Sequence, residues 1–319
     1  MTEIAIRVDR LRKSYGDKKV LDGIDLIIPE GTVFSLLGPN GAGKTTTVQI
    51  LSTLTAADSG EIVVAGHDLA TEPAMVRASI GVTGQFSAVD ELLTGTENLL
   101  MMGDLYHLDR RESRRRAAEL LEKFDLVDAA GKPVSTYSGG MTRRLDLAMT
   151  LLGQPRIIFL DEPTTGLDPR SRHAVWNIVR DQVVDGVTVF LTTQYLDEAD
   201  ELADHIALLD HGKIVAQGSP AHLKRLVPGG YIRLDFAEAA ALESATRVLD
   251  KAFRNGDGLT LRVPSDGQVG SLREVLDRLD RAQVPVEGLS VHEPDLDDVF
   301  LALTGHTTTT AVNELEPSR

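Results

Sequence analysis

The chain of 319 residues contains no cysteine. A disulfide framework is therefore impossible, and a thiolate metal site is excluded with it. No apolar stretch approaches the ~18–20 residues that a membrane span needs. The longest apolar runs, such as Ile157 to Leu160, have strand length. The N-terminus, MTEIAIRVDR, lacks the basic-then-apolar layout of a secretory signal. A soluble chain is expected, with any membrane role coming through a partner. Basic charge is also scarce: 33 Lys and Arg stand against 48 Asp and Glu, a formal net charge of −15. The deficit is not confined to a tail, since residues from 231 onward hold 16 acidic and 9 basic side chains. A nucleic-acid binder ordinarily shows a basic face, so no nucleic-acid partner is expected.

What is present is ordinary globular composition, 42% hydrophobic and 25% charged, which argues against overall disorder. The length allows a full α/β domain and a smaller second one. Short alternating runs at Ile4, Ile6 and Val8 and in LDGIDLIIP predict strands, with turns at Tyr15-Gly16-Asp17 and Pro29-Glu30-Gly31. Val33 to Leu37 predicts a further strand, running into a glycine-rich turn and a helix from about Lys44. GEIVVAGHDL (60–69) predicts a strand and turn. From Thr94 to Asp128 the period becomes helical, with Ala117, Leu120, Leu121 and Phe124 on one face. The arginines of RRESRRR are ordinary for the solvated side of such a helix, given Glu112, Glu119 and Glu122 among them. RIIFLDE, VTVFLTT, HIALLD and KIVAQG then read as strands of a parallel sheet. Val227-Pro228-Gly229-Gly230 reads as a linker. Beyond it YIRLDFAE, a helix from about Ala239, GLTLRVPS, a helix from about Val269 and LDDVFLALTG suggest a small α+β domain over 231–304. Residues 305–319 form a polar tail, expected to be flexible.

GPNGAGKTT fits the phosphate-loop pattern G-x-x-x-x-G-K-[ST], after a predicted strand and opening a helix. Gly38, Pro39, Asn40, Gly41, Ala42, Gly43, Lys44, Thr45 and Thr46 are therefore candidate nucleotide-binding residues. Glycines let backbone N–H groups curl around phosphates, and the helix N-terminus adds partial positive charge. Lys44 would pair with the β- and γ-phosphates, and the Thr45 hydroxyl would hold Mg²⁺. RIIFLDEP delivers two acids to the same sheet edge. Asp161 would hold the magnesium, and Glu162 would orient or deprotonate an attacking water. A second serine–glycine helix start, Ser138-Gly139-Gly140 in TYSGGMTRRLDLAMTLL, is a further anion site. One compact domain already has its phosphate loop. A second site therefore suggests a homodimer in which each chain caps the nucleotide held by the other. No N-K-x-D guanine reader is found.

With these motifs in order, residues 3 to 228 resemble the ATPases of ABC transporters. The resemblance implies an α/β P-loop NTPase with a RecA-like core, an antiparallel β subdomain and an α-helical subdomain at about 87–150. An ABC ATP-binding domain over 1–228 would then precede the small C-terminal domain. Tyr15 in KSYG matches the aromatic that stacks on adenine. Gln85 in GVTGQFSAVDELLTGTENL matches the glutamine that contacts Mg²⁺ and reports to the membrane subunit. YSGGM matches the signature, with Tyr137 and Met141 in place of the commoner leucine and glutamine. Gly166-Leu167-Asp168 matches the loop linking the two sites across the dimer. GVTGQFSAVDELLTG, YSGGMTRRLDLA, TTQYLDEADELAD and EPDLDDVFLALTG resemble one branch, the daunorubicin/doxorubicin-resistance drug-export ATPases.

That branch implies ATP and Mg²⁺ as cofactors and a separate integral membrane permease as partner. It also implies a place at the cytoplasmic side of the cell membrane, and ATP hydrolysis that powers efflux of a hydrophobic compound. In most of the resembled superfamily the residue at position 194 is a histidine that hydrogen-bonds the γ-phosphate, and the branch often has glutamine there. Gln194 can donate and accept hydrogen bonds but cannot carry a proton. A γ-phosphate sensor is therefore expected there, with acid–base relay ruled out. Capping of the next helix is the structural alternative for this side chain. A different class, ABC-type ATPases acting on nucleic acid or ribosomes, is disfavoured by the acidic charge, the single phosphate loop and the lack of a coiled-coil insertion.

Overall fold

The runs VFSLL, IIFLD and TVFLTT are buried along their whole length. Strands covered on both faces read as continuous apolar runs, and these form the middle of a largely parallel sheet. The structure is a computed structural model that describes residues 3–85, 87–227, 230–250, 252–254, 259–266, 268–292 and 294–304. The tail expected at 305–319, Pro228-Gly229 of the expected linker, and Phe86 beside Gln85 lie outside the described residues. The chain forms two compact units that divide between Pro220 and Ala221.

The first unit begins β1 (Ile4–Tyr15), β2 (Lys18–Pro29), β3 (Val33–Leu37), α1 (Lys44–Leu51), β4 (Ser59–Val64), β5 (His67–Asp68), α2 (Pro73–Ser79) and β6 (Ile80–Thr83). It continues with α3 (Gly95–Leu105), α4 (Arg110–Lys123), α5 (Gly139–Leu151), β7 (Ile157–Asp161), α6 (Pro169–Val184), β8 (Thr188–Thr193), α7 (Leu196–Leu202), β9 (His205–Asp210) and β10 (Lys213–Gly218). The strands make a six-stranded sheet, order β10-β9-β3-β8-β7-β6, and a four-stranded antiparallel sheet, order β2-β1-β4-β5. Successive side chains of a strand point to opposite faces, and the core divides accordingly. Phe34, Leu36, Phe159 and Phe190 pack with the antiparallel sheet and α1. Val33, Ile158, Leu160, Val189 and Leu191 pack with the apolar sides of α4, α5 and α6.

The helical stretch expected from Thr94 divides into α3 and α4, broken where His107 adopts φ 55°. Thr94 and Glu97 form a reciprocal capping box at the start of α3. Asp109 caps α4 by accepting from the Arg111 and Glu112 N–H groups at 2.9 Å. One strand departs from expectation. β10 pairs antiparallel with β9 rather than extending the parallel sheet. Only His211 and Gly212, both at positive φ, join the two strands. A parallel return needs a crossover of a dozen or more residues, so a two-residue turn forces the hairpin.

α8 (Pro220–Lys224) spans the division. The second unit holds β11 (Tyr231–Asp235), α9 (Ala239–Val248), β12 (Phe253–Arg254), β13 (Thr260–Pro264), α10 (Val269–Arg281), β14 (Gly288–His292) and α11 (Leu296–Thr304). Its antiparallel sheet has the order β12-β13-β11-β14. Ile232, Leu234, Leu261 and Val263 project from it onto Leu242 and Ala245 of α9 and Val275 and Leu279 of α10. β14 was not legible in GLSVH, whose residues are only intermediate or exposed. It forms because β11 offers it a paired edge.

Candidate functional site

Strand register brings the candidate residues to one edge. Leu37 pairs with Thr193, Asp161 with Thr192, and Thr83 with Leu160. The chain therefore leaves four neighbouring strands at Gly38, Gln194, Glu162 and Gly84-Gln85. This is the carboxyl edge of the parallel strands, where open α/β sheets bind ligands.

At the phosphate loop two glycines are required by the geometry. A Cβ on Gly38 would lie 2.2 Å from the Leu209 carbonyl oxygen. Gly43 caps α1 at φ 114°, a backbone angle that L side chains rarely adopt. Lys44 is 4% exposed. Its Nζ donates to the Gly38 carbonyl at 2.7 Å and the Pro39 carbonyl at 3.2 Å, and lies 3.4 Å from Glu162 Oε1. Burial pushes the Lys44 ammonium below its ordinary value, while Glu162 and then Asp161 oppose that shift. Thr45 is exposed on the first turn of α1, beside the half-buried Thr46.

Asp161 is 4% exposed, and its Oδ1 accepts from the Thr192 hydroxyl. Glu162 follows it at φ 48°, a left-handed conformation uncommon outside glycine. Its N–H donates to both the carbonyl and the hydroxyl oxygen of Thr192 at 3.1 Å. Those bonds hold the strained residue against β8. Gln194 is half-buried where β8 ends. The N-cap of α7 is Tyr195, not Gln194, and the helix has no side-chain cap. Gln194 therefore does not serve as that helix's cap.

The remaining candidates lie on other elements. Tyr15 is 48% exposed at the end of β1, with Lys13 Nζ 5.2 Å from its ring centroid. Gln85 is exposed in the bend after β6. Ser138 caps α5 by accepting from the Met141 N–H at 3.3 Å. Gly140 lies so close to α6 that a Cβ would meet Ser171 Oγ at 2.4 Å. Asp168 caps α6, accepting the Ser171 N–H at 3.0 Å and the Ser171 hydroxyl. Those two bonds hold the Asp168 carboxyl below its ordinary range. The near neighbours of Ser138, Gly139 and Gly140 are thus Met141, Leu167 and Ser171, and their hydrogen bonds do not reach the phosphate loop.

Three buried charges escaped the sequence reading. Arg143 and Asp146 stand on the apolar side of α5, 8% and 2% exposed, joined at 3.1 Å. Their signal was an opposite-charge pair at i,i+3 within an apolar run. Glu198 is fully buried on α7, accepting from the Thr164 hydroxyl at 2.8 Å and the Trp176 indole at 3.0 Å. One acid within LDEADEL carries no mark of burial.

The ABC transporter family pattern matches residues 21–165. The chain is 51% identical to the daunorubicin resistance ATP-binding protein DrrA2 of Streptomyces coeruleorubidus, over 97% of each chain. It is 46% identical to the doxorubicin resistance ATP-binding protein DrrA of Mycobacterium tuberculosis, over 95% of this chain and 94% of that one. Among solved structures it matches an ATP-binding cassette dimer in a post-hydrolysis state bound to ADP and Pi. That match has a TM-score of 0.61 at 27% identity, covering 67% of this chain and 98% of that one.

Proposed function

The chain belongs to the ABC transporter ATP-binding proteins, and on that premise we propose that it powers export of a drug or other hydrophobic small molecule through a separate membrane permease. It is an ATP-binding subunit and an ATPase. No helix among the described residues is long and apolar enough to cross a membrane. The transport path is accordingly assigned to an integral membrane partner, which holds this subunit at the cytoplasmic face. The drug-resistance names of the Streptomyces and Mycobacterium relatives support a drug as the class of cargo.

The observation that carries the catalytic reading is the 3.4 Å pairing of Lys44 Nζ with Glu162 Oε1 at the ends of neighbouring segments. It places the phosphate-loop cation beside the acid that would position water. Lys44 would exchange the Gly38 and Pro39 carbonyls and Glu162 for β- and γ-phosphate oxygens. Glu162 would then be free to orient the attacking water and take its proton. Gln194, leaving β8 between the phosphate loop and Glu162, would hydrogen-bond the γ-phosphate through its amide. Tyr15 would stack on adenine. The Thr45 hydroxyl, Asp161 and Gln85 offer the hard oxygen donors that suit Mg²⁺, directly or through water. Mg²⁺ bound there would neutralise charge developing on the phosphates.

Ser138, Gly139, Gly140 and Asp168 would complete the site of a second copy, so that two chains enclose two ATP molecules. The likeness to an ATP-binding cassette solved as a dimer supports that arrangement. Glu162→Gln removes the base but keeps the shape. Steady-state phosphate release should fall at least about 10²-fold while ATP still binds, as measured with a fluorescent ATP analogue. Turnover near the wild-type rate would remove Glu162 from its role.

A further inference from the structure

Arg143 lies near the start of α5, close behind Ser138, and is only 8% exposed. Its bonds do not stay within the helix. Nε donates to the Pro163 carbonyl at 2.8 Å, and Nη1 donates to the Gly84 carbonyl at 2.9 Å and to Asp146 Oδ2 at 3.1 Å. Pro163 directly follows Glu162, and Gly84 directly precedes Gln85. Asp146 extends the grip, since its Oδ1 accepts the Ala88 N–H at 3.2 Å. One ion pair therefore holds the backbone on both sides of Gln85 and the residue after Glu162.

From this geometry we propose that Arg143 is a positioning residue for ATP hydrolysis, coupling the helix headed by Ser138-Gly139-Gly140 to the segments that carry Gln85 and Glu162. The inference rests on the assignment of Glu162 above. A shift of α5, whose start would meet the nucleotide on the second copy, is carried to Pro163 and Gly84 by charge-assisted bonds in a buried setting. Only a planar fork with several fixed donors spans those carbonyls and Asp146 together, which an ammonium cannot do. Two neighbouring bonds of the same kind serve a different purpose. Arg144 Nη1 donates to the Phe124 carbonyl at 2.8 Å, and Arg116 Nη1 to the Leu152 carbonyl at 2.9 Å. Both tie helix to helix and reach no candidate residue.

Among the described residues, Arg143 Nη2 is buried without a hydrogen-bond partner. Burial works against the Arg143 charge, while Asp146, Glu198 and Asp161 support it.

The test uses the full chain with Mg²⁺ and ATP, measuring steady-state turnover and the affinity of a fluorescent ATP analogue. Arg143→Lys keeps the charge but loses the fork, and turnover should fall about ten- to a hundredfold with affinity within about threefold of wild type. Arg143→Met/Asp146→Leu removes both charges together, leaving neither buried alone, and should show the same split. Arg144→Lys is the control and should change neither quantity. Turnover within about twofold of wild type in the Arg143 variants, or affinity lost in parallel with turnover, overturns the proposal. Glu162→Gln is measured alongside. If it retains turnover, the Glu162 assignment fails and this inference with it. If it is inactive while Arg143→Lys is fully active, only the role of Arg143 fails.

Discussion

Gly38→Ala is the most direct probe of how the phosphate loop is held. The new Cβ would stand 2.2 Å from the Leu209 carbonyl oxygen, where ordinary contact begins at 3.4 Å. The shortfall is thus about 1.2 Å. Leu209 O is backbone in β9, where Leu209 pairs with Ile214 of β10, and cannot rotate aside as a side chain could. The loop must yield instead, moving its start by on the order of 1 Å. Crowding of this kind costs about 1–3 kcal/mol of stability, and a displacement of that size near reacting groups costs about 10²-fold in turnover. For a unit of this size the melting temperature should drop by roughly 2–10 °C. Gly41→Ala gives the contrast. Gly41 has φ 81° but no atom within 4 Å of a Cβ, so only the left-handed backbone penalty of about 1–2 kcal/mol applies. Thermal melts, ATP-analogue titration and phosphate release on the two variants make the comparison. If Gly38→Ala binds and turns over ATP as well as Gly41→Ala does, the Leu209 carbonyl does not fix the loop.

Gln194→Ala removes the amide assigned to the γ-phosphate; hydrolysis should fall about ten- to a hundredfold with a smaller loss of ATP affinity. A wild-type rate in that variant would take Gln194 out of the mechanism. Glu198 supplies a pH-dependent prediction. Burial raises its carboxyl above the ordinary 4.5, with bonds from Thr193, Thr164 and Trp176 opposing. The folded chain then binds this proton more tightly than the unfolded one. The contribution is fully present below about pH 4.5 and is lost as pH rises through the raised folded value. The melting temperature of wild type relative to Glu198→Gln should therefore decline as pH increases from about 4.5 towards neutrality. A difference that stays constant over that range would show that Glu198 does not titrate in the folded state.

Much of the architecture was legible because it is written in short, local patterns. The short buried apolar runs predicted β3, β7 and β8, and the step from glycines to Lys44 predicted the start of α1. The face of α4 carrying Ala117 and Leu121, with Phe124 just past its end, followed from helical spacing. KIVAQG was misread as parallel because apolar content alone does not say how a strand is entered. The two-residue turn at His211-Gly212 says so, and demands a hairpin. β14 was missed because its residues are half-buried or exposed, so its existence depends on an edge supplied by β11.

The candidate site divides along the same line. Local patterns of consecutive residues named Gly38 to Thr46, Asp161, Glu162 and Ser138 to Gly140, while Tyr15, Gln85, Asp168 and the γ-phosphate role of Gln194 came from the family resemblance. The sequence also determined the acidic, cysteine-free character of the chain and its lack of membrane-length apolar runs. Only the tertiary structure decided that Gly38, Gln194 and Glu162 leave adjacent strands in the same register, with Lys44 3.4 Å from Glu162. It alone gathered Gly84, Ala88, Pro163 and Asp146 around Arg143. The physical reason is that a hydrogen bond between distant segments is specified by where whole elements pack. No single stretch of side chains contains that information.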